Sequence, residues 1–309
     1  MRLQFQFLET VNGLDNSNLQ IIPRIRQQLG EATTAPGMVM ISLSAVALGA
    51  AFGGYLPLIS LWMETFNISF QKIGIVCGAS AVGVVSSAYY APKLAARYGY
   101  IATINVGLVV AAIMTVAFRF TDNYGLWLAL RFVSGLGLGL HWVLTEAWLA
   151  NIVTEKYRTR VMAIYATAIS IGFAVGPMVI WLFGALSIIP FIIMGALLIL
   201  AALPILRLKG HEPKDSQTRS ASPLILIKKA PTVASACIVV GSVDLALISL
   251  LPAMITRTPE AAPILALIIV PAMAIGATIL QYPIAIIADK HGLRTVSYTH
   301  LTLPTKVTV

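Results

Sequence analysis

The chain has 309 residues, of which 58% are hydrophobic and 11% charged, with a mean hydropathy of +0.86. Soluble domains carry about 25% charged residues, so this composition excludes an ordinary soluble enzyme or binding module and predicts a polytopic membrane protein. The net charge of +9 is scattered through short polar segments and forms no basic patch, which argues against nucleic acid as a partner.

Residues 1–37 are polar and of mixed charge, with no apolar core of the kind a cleavable signal peptide needs. They read as a cytoplasmic N-terminal segment. Eight apolar stretches follow, at about 38–62, 72–92, 102–120, 126–151, 162–183, 187–206, 232–255 and 263–288, each near the ~20 residues a membrane-spanning helix requires. With the N-terminus inside, 17 of the 21 Lys and Arg residues fall on the cytoplasmic side. Only Lys72, Arg119 and Arg257 fall outside, and Arg131 lies within a spanning stretch. The positive-inside rule therefore sets the orientation. Trp62, Tyr124, Trp127 and Trp181 fall near the predicted outer ends, where an aromatic belt is expected. Residues 207–231 are the one long polar segment and read as a cytoplasmic linker. Cys77 and Cys237 sit in separate apolar stretches, without disulfide or metal-ligand spacing. No metal site, cofactor fingerprint or catalytic motif is present in the sequence, so the reading is of a protein that is not an enzyme and needs no cofactor.

The fourth stretch carries Arg131, His141 and Glu146 inside an otherwise apolar helix. A charge at the centre of a spanning helix costs about 2.5–3.5 kcal/mol on insertion scales, so such residues face protein or a wet cavity. Helical periodicity places Arg131, Gly135, Gly139, Trp142 and Glu146 on one stripe, and the Gly135/Gly139 pair would admit another helix at close range.

The chain repeats itself. Pro57 ends the first stretch as Pro252 ends the seventh, 195 residues apart, and the polar segments ending in Gly99 and Gly292 lie 193 apart. Parallel six-helix repeats of this kind build secondary transporters with a site between the halves. The expected organisation is a six-helix bundle over 38–206, the linker, and two helices of a second, incomplete bundle over 232–296. Residues 297–309 resemble translated adapter sequence and are expected to be foreign.

Several motifs, in order, resemble the major facilitator superfamily. Arg131 leads a glycine run (Gly135, Gly137, Gly139). Gly172-Phe173-Ala174-Val175-Gly176-Pro177 resembles the fifth-helix motif of exporters and antiporters, although Met178, Val179 and Ile180 replace its closing glycines. Ala288-Asp289-Lys290-His291-Gly292-Leu293-Arg294 resembles the family's loop motif, whose first copy has Ala96 in place of Asp. Glu146-Ala147-Trp148-Leu149 with Tyr157-Arg158-Thr159-Arg160 resembles a bacterial branch near the drug exporters. The resemblance implies an all-α membrane bundle of about eight helices, a small-molecule substrate, protons as co-substrate, alternating access and a monomer in the bacterial inner membrane.

Four groups of candidate residues follow. Asp244, Arg131, Glu146 and His141 are expected to couple to protons, Asp244 as first carrier because desolvation of a carboxylate in a cavity moves its titration towards neutrality. Pairing of Asp244 with Arg131 is the structural alternative. Trp142, Tyr55, Tyr89, Gln281 and Tyr282 are expected to line an aromatic, weakly polar substrate cavity. Arg97, Gly99, Arg158, Arg160, Asp289, Lys290, Gly292 and Arg294 are assigned to cytoplasmic gating loops, with Glu146 in reach of Arg97, Arg158 or Arg160. Gly172, Gly176 and Pro177 form a helix-bend motif. The favoured function is proton-coupled efflux of small organic compounds. The rivals are a proton-symport importer of a nutrient or sugar-like solute and a non-transporting scaffold or sensor.

Overall fold

A computed structural model describes residues 36–153, 155–213, 231–257 and 265–291; within these, the side chains of 36, 155–160, 232–233, 236–237, 277 and 280–291 are not described. The described residues are all helical apart from short connections, with no strand. Eight α-helices run in order: α1 Pro36–Glu64, α2 Phe70–Tyr98, α3 Tyr100–Ala117, α4 Tyr124–Ile152, α5 Glu155–Phe183, α6 Ile189–Leu206, α7 Pro231–Thr256 and α8 Leu265–His291. Helices are the expected solution for apolar runs of this length, because each segment satisfies its own backbone donors and acceptors without water. The first seven are long and apolar enough to cross a membrane, and α8 contributes the apolar run Leu265–Gly276.

The helices run past the apolar stretches. α2 continues through Pro92, Lys93 and Arg97 to Tyr98, so the expected loop shrinks to Gly99. Gly99 has φ +85°, a left-handed conformation that a side chain would oppose. Polarity does not end a helix whose hydrogen bonds remain local. Arg97, Arg158, Arg160, Asp289 and Lys290 therefore stand on helices, which corrects their assignment to loops. Gly292 and Arg294 lie outside the described residues.

Within the first repeat, α1 packs most extensively on α5, α2 on α4, and α3 on α4 and α6. The α1–α5 seam is closed by glycines: Gly172 lies over Val46 and Ala50, and Gly176 over Ala50 and Gly54. Gly135 and Gly139 lie against Ser80 and Ser87 of α2, the close approach expected of them. From the second repeat, α7 packs on α1 and α2, and α8 on α5. The buried apolar residues form two clusters stacked along the bundle. One includes Leu48, Ile104, Trp148, Tyr165 and Ile205, towards the predicted inner end. The other includes Tyr55, Trp62, Phe118, Trp127 and Phe191, towards the outer end. Trp62 and Trp127 thus turn inward and do not join an interfacial belt; Trp127 stacks on Phe118 and donates Nε1–H to the Thr121 carbonyl at 3.0 Å. Trp181 is exposed.

Candidate functional site

Where the two clusters meet, the interior is polar. Arg131 is 0% exposed, and none of its three guanidinium nitrogens meets a hydrogen-bond acceptor. The face of Tyr55 on α1 lies 5.0 Å from the guanidinium carbon, ring centroid to Cζ. The hydroxyl of Tyr55 is in reach of Arg131 and Thr115, and that of Ser249 is in reach of Cys77, while those of Ser80 and Ser134 are buried without a hydrogen-bond partner among the described residues. Cys77 lies within interaction range of both Arg131 and Ser249. Ser249 comes from α7, so this polar layer joins the two repeats. An uncompensated buried charge costs about 3–5 kcal/mol; a cation–π contact returns only about 2.

Further along α4 lies a second group. Trp142 meets Phe52 of α1 edge-on at 6.2 Å, and Phe52 meets Phe173 of α5 at 5.5 Å. Trp142 donates Nε1–H to Glu146 Oε1 at 2.7 Å, so the carboxylate is anchored on its own helix. Phe52 and Phe173 were not singled out from the sequence; each adjoins a seam glycine, Gly53 and Gly172, and that adjacency was the available signal. About 100° around α4 from Trp142, His141 is 0% exposed. Ser44 gives its only hydroxyl hydrogen to the Ala201 carbonyl at 2.7 Å, so at 2.8 Å it can only accept from His141 Nε2–H. That fixes the tautomer by the network and ties α1, α4 and α6 together. Thr145 likewise donates to the His141 carbonyl at 2.7 Å and receives Tyr165 OH at 3.1 Å. This bonding gives His141 a structural task.

Asp244 is not brought to Arg131. It is exposed, while α7 seats its buried Ser249 and Ala253 inward, about 140–180° away around the helix. The structural alternative, a pairing of Asp244 with Arg131, is therefore absent. Of the expected cavity residues, Tyr55 packs on Phe118 in the outer cluster at 6.4 Å, whereas Trp142 packs on Phe52, three residues earlier on α1. Tyr89 is exposed, beneath the Lys93 ammonium at 3.6 Å and against Tyr90 at 5.1 Å. Gln281 and Tyr282 fall on α8, where side chains are not described. Arg97 lies over the Tyr98 ring at 5.2 Å and makes no ion pair to Glu146 among the described residues. α5 passes through Pro177 as a continuous helix.

Two polar contacts were not foreseen. Glu212, at the start of the linker, accepts the Tyr100 amide at 2.9 Å and so caps α3 beside Gly99. It places a carboxylate at the turn where Ala96 lacks one. At the other end, Glu64 at the close of α1 and Arg257 just after α7 form a two-point pair, Nε to Oε1 and Nη2 to Oε2, the latter at 2.7 Å. Arg257 also donates to the Ile68 carbonyl at 2.9 Å and covers the Phe70 ring at 4.2 Å. Hydrogen bonding to Glu64 raises the Arg257 pKa above its ordinary value. Two apolar grooves, of about 430 and 500 Å³, lie on the flanks of α2/α4 and α1/α5/α6 and include none of Arg131, Trp142 or Glu146.

The fold is similar to two solved transporters: the proton:xylose symporter XylE bound to 6-bromo-6-deoxy-D-glucose (18% identity, TM-score 0.58, 82% of this chain and 70% of that one) and a D-xylose-proton symporter (19%, 0.55, 82% and 69%). Relatives in sequence include the uncharacterised MFS-type transporter YfkF of Bacillus subtilis (strain 168), 26% identical over 265 residues, which is 84% of this chain and 66% of that protein. An uncharacterised MFS-type transporter of Yersinia pestis (strain Pestoides F) is 24% identical over 220 residues, 70% of this chain and 55% of that protein. The chain thus spans 55% to 66% of the length of these relatives. The family model described as Major Facilitator Superfamily matches residues 41–303. With its all-helical bundle, its polar interior and this match, the chain belongs to the Major Facilitator Superfamily of membrane transporters.

Proposed function

We propose that this multi-pass membrane protein exports small, partly apolar organic compounds in exchange for protons, from a bacterial cytoplasmic membrane with its N-terminus inside. Residues 38–206 form the first bundle, 207–231 the linker, and 232–296 open the second. The observation that carries alternating access is the Glu64–Arg257 pair. It joins α1 of one repeat to α7 of the other at one end of the bundle, where water can compete for both charges and let the contact break. Release there would expose the polar layer beneath. At the other end Glu146 is the carboxylate best placed to exchange protons, because it is half-buried and already hydrogen-bonded to Trp142. Asp244, exposed on α7, is the second carboxylate of the cycle.

The test is solute movement by the full-length protein in proteoliposomes under an imposed pH gradient. Export predicts that solute runs against the proton flow, and that Glu146→Gln uncouples the two while the protein still binds its solute. Solute accumulating with the protons instead would replace export with import. No movement under either polarity would leave a scaffold.

A further inference from the structure

We infer that the polar layer at Arg131 is a binding site for a small organic monocarboxylate, closed over by α7. The inference rests on the transport reading for its purpose, and on geometry for its chemistry. Every orphaned group there can donate a hydrogen bond. Arg131 offers five N–H groups and no acceptor, and the hydroxyls of Tyr55 and Ser249 face the same buried region, with Arg131, Thr115 and Cys77 in reach. Apart from the Tyr55 hydroxyl, no oxygen among the described residues is in reach to accept from the guanidinium.

Such a set is complementary to an oxyanion. A planar guanidinium favours a carboxylate, which can take two parallel N–H bonds. One cation sets the guest's charge at minus one: His141 is ten residues further along α4, about 15 Å away, and among the described residues no other cation is placed beside Arg131. The Tyr55 face and the buried apolar cluster of Phe118 and Trp127 beside it suit an apolar body behind the carboxylate.

Access is built into α7. Arg131 lies seven residues, about 10 Å, in from the start of α4, and Ser249 lies eight residues, about 12 Å, in from Arg257. They sit at one depth, with Ser249 and Leu250 of α7 over Cys77 and Gly74 of α2. The Glu64–Arg257 pair pins the end of α7 above them. Breaking that pair frees α7 to lift off Arg131, so latch and site belong to one movement.

The experiment follows thermal unfolding of the purified full-length protein with sodium benzoate and octanoate, their amides benzamide and octanamide, and sodium chloride at the same concentrations. Carboxylates should raise Tm saturably, with amides and chloride at least tenfold less effective. Arg131→Gln should weaken the carboxylate effect at least tenfold, Arg131→Lys should weaken it less, and Glu212→Ala should leave it unchanged. If Arg131→Gln does not fold, Ser249→Ala with Arg131→Lys provides the same ordering. Equal shifts from amides and carboxylates, a full shift from chloride alone, or undiminished affinity in Arg131→Gln would each overturn the assignment. Carboxylate binding without solute movement in proteoliposomes would sustain this site and remove the transport reading; movement without carboxylate preference would do the reverse.

Discussion

The α1–α5 seam allows one substitution to be worked through. A Cβ on Gly172 would stand 2.2 Å from the Val46 carbonyl oxygen and 2.6 Å from the Ala50 nitrogen, both backbone atoms that cannot swing away. Restoring ordinary contact requires α1 and α5 to part by roughly 1 Å, and a gap of that size forfeits a quarter to a half of each atom pair's dispersion energy. Over some 40 pairs at about 0.15 kcal/mol, the loss is about 1.5–3 kcal/mol, within the usual range for overpacking. Gly78 on α2 supplies the control, since a Cβ there meets nothing within 4 Å. Both changes gain at most about 1 kcal/mol of helix propensity. Gly172→Ala should therefore be less stable than Gly78→Ala by about 1.5–3 kcal/mol. Equilibrium unfolding of both variants in detergent measures the difference. Equal stability would show that the seam is not packed backbone to backbone, and the reasoning would fail.

Other expectations follow from single contacts. Glu64→Gln should loosen the latch and speed labelling of buried Cys77 by a membrane-impermeant maleimide severalfold in a Cys237→Ser background; an unchanged rate counts against the latch. Ser44→Ala strands the His141 Nε2–H and should cost about 1–3 kcal/mol of thermal stability, whereas a proton relay alone would alter pH dependence and spare stability. Glu212→Ala removes the α3 cap, worth about 0.5–2 kcal/mol, and should speed amide exchange at Tyr100; unaltered exchange would contradict the cap.

The sequence made the helices legible because each spanning segment must be a continuous apolar run, and eight such runs match the eight helices to within several residues. Their ends were less legible: apolarity marks where lipid stops, while α2 stops only where Gly99 breaks its hydrogen bonding. Arg131 was legible as a buried charge, since its cost demands a reason. Its neighbours were not. Periodicity assigns Asp244 to a stripe of α7 without saying which stripe meets α1, and the packing turns Ser249 inward instead. Glu64 and Arg257 stand 193 residues apart in polar surroundings. Nothing local marks them as partners, and only the closure of the two repeats brings them together.

The glycine seam also decides how motion can travel. Because α1 and α5 touch main chain to main chain at Gly49, Gly53, Gly172 and Gly176, no side chain can repack at those points, and neither helix can bend there without dragging the other. The pair is a stiff lever, with Glu64 at one tip and the Phe52–Trp142 aromatics far down its length. On the proposed alternating-access cycle, a tilt that releases one tip is felt at the opposite one, as two doors hung on one rigid beam swing in opposite senses.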